Sequence, residues 1–252
     1  MSSKNRLNAT EKDAILVNSP FYHCMSCVLA SLNMVIRGAR LVIPAPTFSA
    51  IKAVEAINEE NANIIIGTPT RYIDMLDAAK QSKFKLNTSD TRGWMRGLMG
   101  GSICPEQLVR DVTDVFDARI FISYGTTETS PVTFFSTATD SLVNLTTTVG
   151  CVMPHTEAKV IGLDDQVLPR EVTGELCIRG PCVFPGYWKQ PDKTKEVVGH
   201  DGWYRTGDLA SISHDGYAKI IGRSKDMIIR YEVSLTGRDS HQPEVVQKLN
   251  HF

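Results

Sequence analysis

The sequence predicts an α/β protein with a doubly wound, mostly parallel sheet followed by a β-rich, distorted barrel-like region. In the first half, short apolar runs rich in β-branched residues alternate with segments of helical period, which is typical of a parallel sheet covered on both faces. From about Val149 the chain changes to short strands separated by glycine and Asp-Gly turns. A chain of 252 residues is long enough to bury its own core.

The individual elements follow from hydrophobic period and end signals. Apolar runs predict strands at 14–17, 39–43, 63–66, 95–99 and 119–123. Helical spacing predicts helices at 26–36, 48–60, 70–80 and 105–116, the last of which begins with proline. In the second region we expect strands at 158–161, 174–179 and 216–221, and we interpret the polar segment 136–148 as a linker or loop.

Charge and hydropathy exclude several partners. Lysine and arginine number 27 against 28 aspartates and glutamates, so no basic field would attract nucleic acid or an anionic membrane. The most apolar stretch, 24–36, is shorter than the roughly 20 residues of a membrane span, and no transmembrane segment is expected. The first residues resemble neither a signal nor a transit peptide. For the pair Cys24 and Cys27, packing is favoured over zinc or redox chemistry.

One loop has the composition of a phosphate and metal site. It follows the predicted strand 119–123 with the run Y-G-T-T-E, and ligands of parallel sheets lie beyond the carboxyl ends of strands, near the point where strand order reverses. Gly125 allows close approach of the backbone to a phosphate, and Glu128 is a hard oxygen ligand suited to Mg²⁺. A threonine-rich turn with a solvated glutamate explains the same residues equally well.

Three further features carry weaker signals. Gly101 and Ser102 follow a predicted strand and offer bare backbone to a flat ring, although such a turn is often only a connection. A hairpin pattern would bring Asp208 and Arg223 together, either as a sugar-binding pair or as a structural ion pair. His23 follows the first strand, where an isolated histidine is usually structural.

Some enzyme classes are excluded by motifs that the sequence lacks, and one superfamily is indicated by motifs that it contains. The chain has no G-x-S-x-G elbow, no G-x-G-x-x-G and no P-loop, which argues against an α/β-hydrolase and the common nucleotide motifs. Over 14–230 it resembles the adenylate-forming superfamily of acyl-CoA synthetases, peptide-synthetase adenylation domains and luciferases. The resemblance rests on eight ordered motifs: P-F-Y-H, G-T-P-T, G-G-S, Y-G-T-T-E, G-E-L-C-I-R-G, G-Y-W, W-Y-R-T-G-D and G-R-S-K-D-M-I.

The resemblance implies a fatty acid–CoA ligase that favours medium-chain acids. ATP and a carboxylate would give acyl-adenylate and pyrophosphate, coenzyme A as second substrate would displace AMP, and Mg²⁺ would assist. Motif positions imply a role for each candidate residue. For adenosine, the implied residues are Gly101 and Ser102 in the adenine pocket, Tyr124 in adenine stacking, and Asp208 and Arg223 at the ribose. For the reacting groups, they are Gly125 and Thr127 at the phosphate, Glu128 at Mg²⁺ and His23 at the substrate carboxylate, and Lys225 is implied at a hinge. Thr127 and Glu128 are the implied catalytic residues.

The resemblance also implies a division of the chain and a location. Residues 1–140 would be the nucleotide-binding α/β part, 141–230 the β-rich part of the same domain ending at the hinge, and 231–252 a divergent tail. The family's phosphate loop and its C-terminal lysine domain have no counterpart in these 252 residues, so the chain alone is expected to be inactive or impaired. Mitochondria are the implied location, with the cytoplasm as the alternative.

Two other interpretations stay open. The chain could serve as a non-catalytic module that binds AMP or a protein partner, or it could come from another acid-activating enzyme. Both fit the same motifs, because the residues that would hold a nucleotide are shared across the superfamily.

Overall fold

A computed structural model describes residues 7–87 and 95–224, together with the backbone of two short strands at 227–230 and 244–247. Seven strands form the main sheet in the order β2-β1-β3-β4-β5-β6-β7. Their bounds are β1 Ala14–Val17, β2 Arg40–Val42, β3 Ile64–Gly67, β4 Arg96–Gly100, β5 Arg119–Tyr124, β6 Phe134–Phe135 and β7 Cys151–Val152. Strands β1 to β5 are parallel, as predicted, whereas β6 and β7 are antiparallel additions that the sequence patterns did not indicate.

Helices connect the parallel strands. A π-helical segment, Met25–Ser31, leads into the first α-helix, and the α-helices are α1 Leu32–Arg37, α2 Ala50–Glu59, α3 Pro69–Gln81, α4 Glu106–Phe116, α5 Leu142–Thr147 and α6 Pro191–Val197. Ser49 caps α2 by accepting the amide hydrogen of Lys52, and Pro69 begins α3 with a preset backbone. Among the residues the structure describes, no helix combines the length and apolarity needed to span a membrane.

The main sheet separates two apolar cores because side chains alternate along each strand. In β1, Ala14 and Leu16 pack in the core shared with α2, α3 and α4. Ile15 and Val17 face the opposite core, which the π-helical segment covers. Both faces are therefore buried, which confirms the doubly wound layout.

The β-rich region forms a second, four-stranded antiparallel sheet in the order β11-β10-β9-β8. Its strands are β8 Glu157–Ile161, β9 Gly174–Arg179, β10 Tyr204–Ile212 and β11 Ala218–Arg223. Leu176, Ile178 and Ala210 pack against Phe134 of β6, so the two sheets share a third core. Two further strands, β12 Met227–Arg230 and β13 Glu244–Gln247, pair with each other.

The expected linker 136–148 is wrong in part, because it contains α5. Ser141 caps this helix by accepting the amide hydrogen of Asn144 at 3.2 Å, and Leu145 is buried. The threonine-rich composition gave no helical period, and the helix is instead stabilised by the Ser141 cap and by burial of Leu145.

A buried ion pair lies at the amino end of the main sheet. Arg96, the first residue of β4, contacts Asp13 just before β1, and the two side chains are 6% and 7% exposed. Asn63 donates to Asp13 Oδ1 at 2.7 Å, and the Thr10 amide donates to Oδ2 at 2.6 Å. Arg96 Nη1 also donates to the carbonyl of Leu7 at 2.7 Å. These contacts tie the segment before β1 to two neighbouring strands.

Candidate functional site

Two cavities meet beyond the carboxyl ends of β4 and β5. The first, of about 270 Å³, is lined by Gly101, Ser102, Tyr124, Gly125, Asp208 and Arg223, among others. The second, of about 240 Å³, is lined by His23, Thr127 and Glu128, and it shares Gly101, Gly125, Thr126 and Arg223 with the first. The fold thus gathers nine of the ten sequence-predicted site residues, and the tenth, Lys225, lies outside the described residues.

The site spans several strands of the main sheet. The strand order reverses at β1, which lies between β2 and β3. The cavities extend from the segment after β1, which carries His23, to the ends of β4 and β5, next to the antiparallel additions β6 and β7. They therefore lie beyond the carboxyl ends of parallel strands and reach the strand at which the order reverses.

The backbone after β4 is bare because the chain passes close to β5. A Cβ on Gly100 would lie 2.5 Å from Ser123 Oγ, and Gly101 has a φ of +87°, a left-handed conformation that favours glycine. Gly101 and Ser102 therefore present main-chain atoms to the first cavity.

The loop after β5 is held by its own threonines. The Thr126 amide donates to Thr129 Oγ1 at 2.9 Å, which closes a short 3₁₀ turn, Thr127–Thr129. A Cβ on Gly125 would lie 1.9 Å from the carbonyl oxygen of Pro131. Crowding by the returning chain therefore gives a structural reason for glycine at this position, and the expected approach of a phosphate to Gly125 stays a prediction.

Asp208 lies between an arginine and a tyrosine. It faces Arg223 across β10 and β11, with Arg223 Nε at 2.9 Å from Asp208 Oδ1, and it accepts a hydrogen bond from the Tyr124 hydroxyl at Oδ2. Burial, and then the Asp208 carboxylate, raise the pKa of Tyr124, so its hydroxyl stays a donor. The hairpin prediction is confirmed in its geometry. The pair is an ion pair and also lines a cavity, so the two interpretations are compatible.

Glu128 is the carboxylate that could hold a cation. It is half-buried, Tyr187 donates to its Oε1 at 2.9 Å, and in the described part of the chain its Oε2 has no partner. No cluster of three or more histidine, cysteine or acidic side chains within the described residues could hold a metal. The single carboxylate of Glu128 fits Mg²⁺, which proteins often bind through one or two carboxylates while substrate phosphates and water fill the other positions.

His23 is oriented by the chain that follows it. The Met25 amide donates to His23 Nδ1 at 3.1 Å, which places the proton of the neutral ring on Nε2. Beside it, Cys24 Sγ lies 3.6 Å from Thr127 Oγ1. Cys27 is exposed and Cys24 only half-buried, so the packing role expected for this pair is wrong.

Several lining residues had no role assigned from the sequence, although Thr126 and Tyr187 lie within the motifs Y-G-T-T-E and G-Y-W. Thr126 borders three cavities, and residues 145–149, from α5 and its end, line the first of them. Tyr187 reaches Glu128 from a segment 59 positions away. The Ser141 cap was a usable signal for α5. No signal in a single sequence indicates which tyrosine reaches a given glutamate.

A cavity beyond the carboxyl ends of a parallel sheet, bordered by an acid–arginine pair, is an arrangement typical of nucleotide-binding enzymes. Residues 1–188 match the model of the AMP-binding enzyme family, and the chain belongs to that family.

Its relatives and structural neighbours agree. The chain is 42% identical over 222 residues to the mitochondrial medium-chain acyl-CoA ligase ACSF2 of Rattus norvegicus, a match that covers 87% of this chain and 35% of the relative. It is 38% identical to the putative acyl-CoA synthetase YngI of Bacillus subtilis over 88% of this chain and 40% of that protein. The chain thus spans little more than a third of the curated relatives it matches.

Two solved structures have the same fold. ATP-bound MatB from Rhodopseudomonas palustris superposes with a TM-score of 0.74 at 26% identity, over 90% of this chain and 44% of MatB. The O-succinylbenzoate coenzyme A synthetase MenE from Bacillus subtilis, in complex with ATP and magnesium, gives 0.76 at 26% identity, over 90% of this chain and 45% of MenE. The chain is therefore similar in fold to both MatB and MenE.

Proposed function

We propose that this chain contributes the nucleotide and carboxylate sites of a medium-chain fatty acid–CoA ligase. A fatty carboxylate oxygen attacks the α-phosphorus of ATP, pyrophosphate leaves, and the sulfur of coenzyme A then displaces AMP from the acyl-adenylate. The observation that carries the proposal is the convergence of His23, Glu128 and Asp208 on one continuous site in a chain 42% identical to a medium-chain ligase.

The first cavity would take the adenosine. Tyr124 and the bare backbone at Gly101 and Ser102 offer flat surfaces for the base, and the Asp208 carboxylate retains lone pairs for the ribose hydroxyls. Arg223 keeps its terminal nitrogens free of any described partner, so they can donate to ribose or phosphate oxygens.

The second cavity would take the reacting groups. Thr127 would offer a hydroxyl and an amide to the phosphate, with Gly125 beside it. His23 lines the same cavity, and its Nε2–H would donate to a substrate carboxylate. Bound Mg²⁺ would neutralise phosphate charge as it develops, and Glu128 would hold it. Fixed donors of this kind lower a barrier because they need no rearrangement when charge grows.

The finer assignments extend the same proposal. Residues 1–140 and 141–230 would be two parts of one domain that ends at the hinge residue Lys225, with 231–252 as a tail, and the location would be mitochondrial. The 252 residues alone would bind adenosine ligands but adenylate poorly, since the expected phosphate loop and catalytic lysine have no counterpart in them.

The test is calorimetric titration with octanoyl sulfamoyl-adenosine, a stable analogue of the acyl-adenylate. Wild-type chain should bind it saturably, and Asp208→Ala should weaken binding about 10- to 100-fold, because a hydrogen bond to a charged group contributes about 1.5–3 kcal/mol. Asp215→Ala, at an exposed aspartate in the turn before β11, is the matched control and should bind as wild type. Absence of saturable heat with wild type would overturn the proposal.

The same titration separates the alternatives. Tightest binding of the octanoyl analogue among butanoyl, octanoyl, hexadecanoyl and benzoyl forms supports a medium-chain ligase, whereas preference for the benzoyl form points to another acid-activating enzyme. Equal affinity for AMP and every acyl form would favour a non-catalytic AMP-binding module. ATP–pyrophosphate exchange by the chain alone is expected to be absent or slow, and fast octanoate-dependent exchange would contradict the expected impairment.

A further inference from the structure

A tyrosine of the β-rich region holds the carboxylate of Glu128. The Tyr187 hydroxyl donates to Glu128 Oε1 at 2.9 Å. Glu128 lies on a three-residue 3₁₀ turn, and among the described residues no other side chain donates a hydrogen bond to its carboxylate. Since a glutamate side chain has several rotatable bonds, this single hydrogen bond decides which way its oxygens point.

Tyr187 is itself firmly placed. Its ring meets Phe184 edge to face at 4.9 Å, and Phe184 meets Tyr204 of β10 at 5.7 Å. The Tyr187 amide donates to Thr194 Oγ1 at 2.9 Å, which anchors the tyrosine to α6. The aromatic cluster and α6 therefore fix the donor before any ligand arrives.

The segment 184–187 also forms a hydrogen bond with the backbone of Glu128. The Phe184 amide donates to the Glu128 carbonyl oxygen at 2.8 Å. Glu128 is thus held at two points, main chain and side chain, by residues 184–187. Because both contacts come from one segment, the β-rich region sets the position of Glu128 just beyond the carboxyl end of β5.

The chemistry of the contact suits a cation ligand. A phenol orients a carboxylate without cancelling its charge, whereas a lysine or arginine would neutralise it. The Tyr187 hydroxyl is the donor in this contact and adds no positive charge beside Glu128. The contact uses Oε1 and leaves Oε2 without a described partner beside the second cavity. Ligating carboxylates are commonly hydrogen-bonded in this way by a neighbour.

We infer that Tyr187 is a positioning residue for Glu128, which it holds in the orientation that binds the divalent cation of the ATP complex. This inference rests on the proposed function, because Glu128 must be a metal ligand for it to hold. A merely structural tyrosine would instead fasten residues 184–187 to the loop after β5 and leave cation affinity unchanged.

The test measures cation binding directly. Mn²⁺ is titrated into ATP with the 252-residue chain and into ATP without it, and the free Mn²⁺ signal is followed by electron paramagnetic resonance. The difference between the two titrations reports the cation that the chain binds beyond chelation by ATP itself. We expect Tyr187→Phe to weaken Mn²⁺ affinity about 10- to 100-fold, the usual effect of removing a hydrogen-bond partner of a metal ligand. The affinity for AMP without metal should stay unchanged. Tyr217→Phe removes another tyrosine–carboxylate contact, to Asp140 at 2.8 Å, and should leave both affinities unchanged.

A double-mutant cycle separates positioning from structure. Glu128→Gln should weaken Mn²⁺ binding by itself, and Tyr187→Phe should add little in that background, because both changes act through the same carboxylate. Additive effects, or an unchanged Mn²⁺ affinity in Tyr187→Phe, would overturn the inference while leaving the proposed function in place. Wild-type chain that binds neither the acyl-adenylate analogue nor Mn²⁺ with ATP would overturn both.

Discussion

An aspartate–arginine pair lies at each end of the main sheet, and the two pairs differ in exposure. The first belongs to the main sheet itself, and the second is carried by β10 and β11 of the second sheet, beside the carboxyl ends of β4 and β5. At the amino end, the Asp13 and Arg96 side chains are 7% and 6% exposed and are surrounded by further hydrogen bonds. At the carboxyl end, Asp208 is 7% exposed but Arg223 is 63% exposed and borders three cavities. The same ionic chemistry thus stabilises the fold where both partners are buried and remains available to a ligand where one partner is open.

The largest effect is expected from breaking the amino-end pair. Arg96→Met would leave the Asp13 carboxylate buried without its cation, and breaking such a pair typically costs about 3–5 kcal/mol. We expect a loss of that size in the free energy of unfolding measured with urea. Since the site lies at the opposite end of the sheet, affinity for the acyl-adenylate analogue should be unchanged wherever the variant is folded.

Arg110→Met is the matched control for that experiment. Arg110 pairs with Glu106 on the exposed face of α4, and both side chains are about half exposed. Exposed helical pairs contribute only about 0.3–0.5 kcal/mol, so this variant should unfold almost as wild type does. Equal losses in the two variants would contradict the contrast between buried and exposed pairs.

An intermediate effect is expected from Gly125→Ala at the carboxyl end. The added methyl would collide with the Pro131 carbonyl, 1.9 Å from the ideal Cβ, and overpacking of this kind costs about 1–3 kcal/mol. Because the shift would move Tyr124 and Thr126, the acyl-adenylate analogue should also bind more weakly.

Gly216→Ala supplies the comparison for Gly125. Gly216 has a φ of +87° and no atom within 4 Å of an added Cβ, so that variant suffers backbone strain alone. It should lose stability without losing affinity for the analogue. A Gly125→Ala chain with unchanged affinity would show that the loop after β5 tolerates displacement.

Sequence patterns predicted the scaffold better than its additions. Both predicted bounds of the strand at 14–17 match β1, because a short continuous run of apolar residues is typical of a parallel strand that is buried on both faces. The two-residue strands β6 and β7 are too short for any period to register. Motifs named the residues that gather at the site, since each follows a strand or lies in a hairpin. The contacts Tyr187–Glu128 and Asp13–Arg96 span 59 and 83 positions, and no local signal encodes such pairing.

The smallest effect, and the sharpest test of the amino-end pair, is its dependence on pH. Burial raises the pKa of Asp13, but hydrogen bonds from Thr10 and Asn63 and the charge of Arg96 outweigh it, and the net shift is downward. A lowered folded-state pKa stabilises the fold fully above the unfolded value of about 3.9 and loses that contribution as the pH falls through the folded-state pKa. We therefore expect the free energy of unfolding to decrease more steeply below about pH 4 in wild type than in Asp13→Asn, which has no carboxylate to titrate there. Urea unfolding at pH 7, 4 and 3 should show the gap between the two proteins narrowing with acid, and a gap that stays constant would mean that the carboxylate is not held in its charged form by its neighbours.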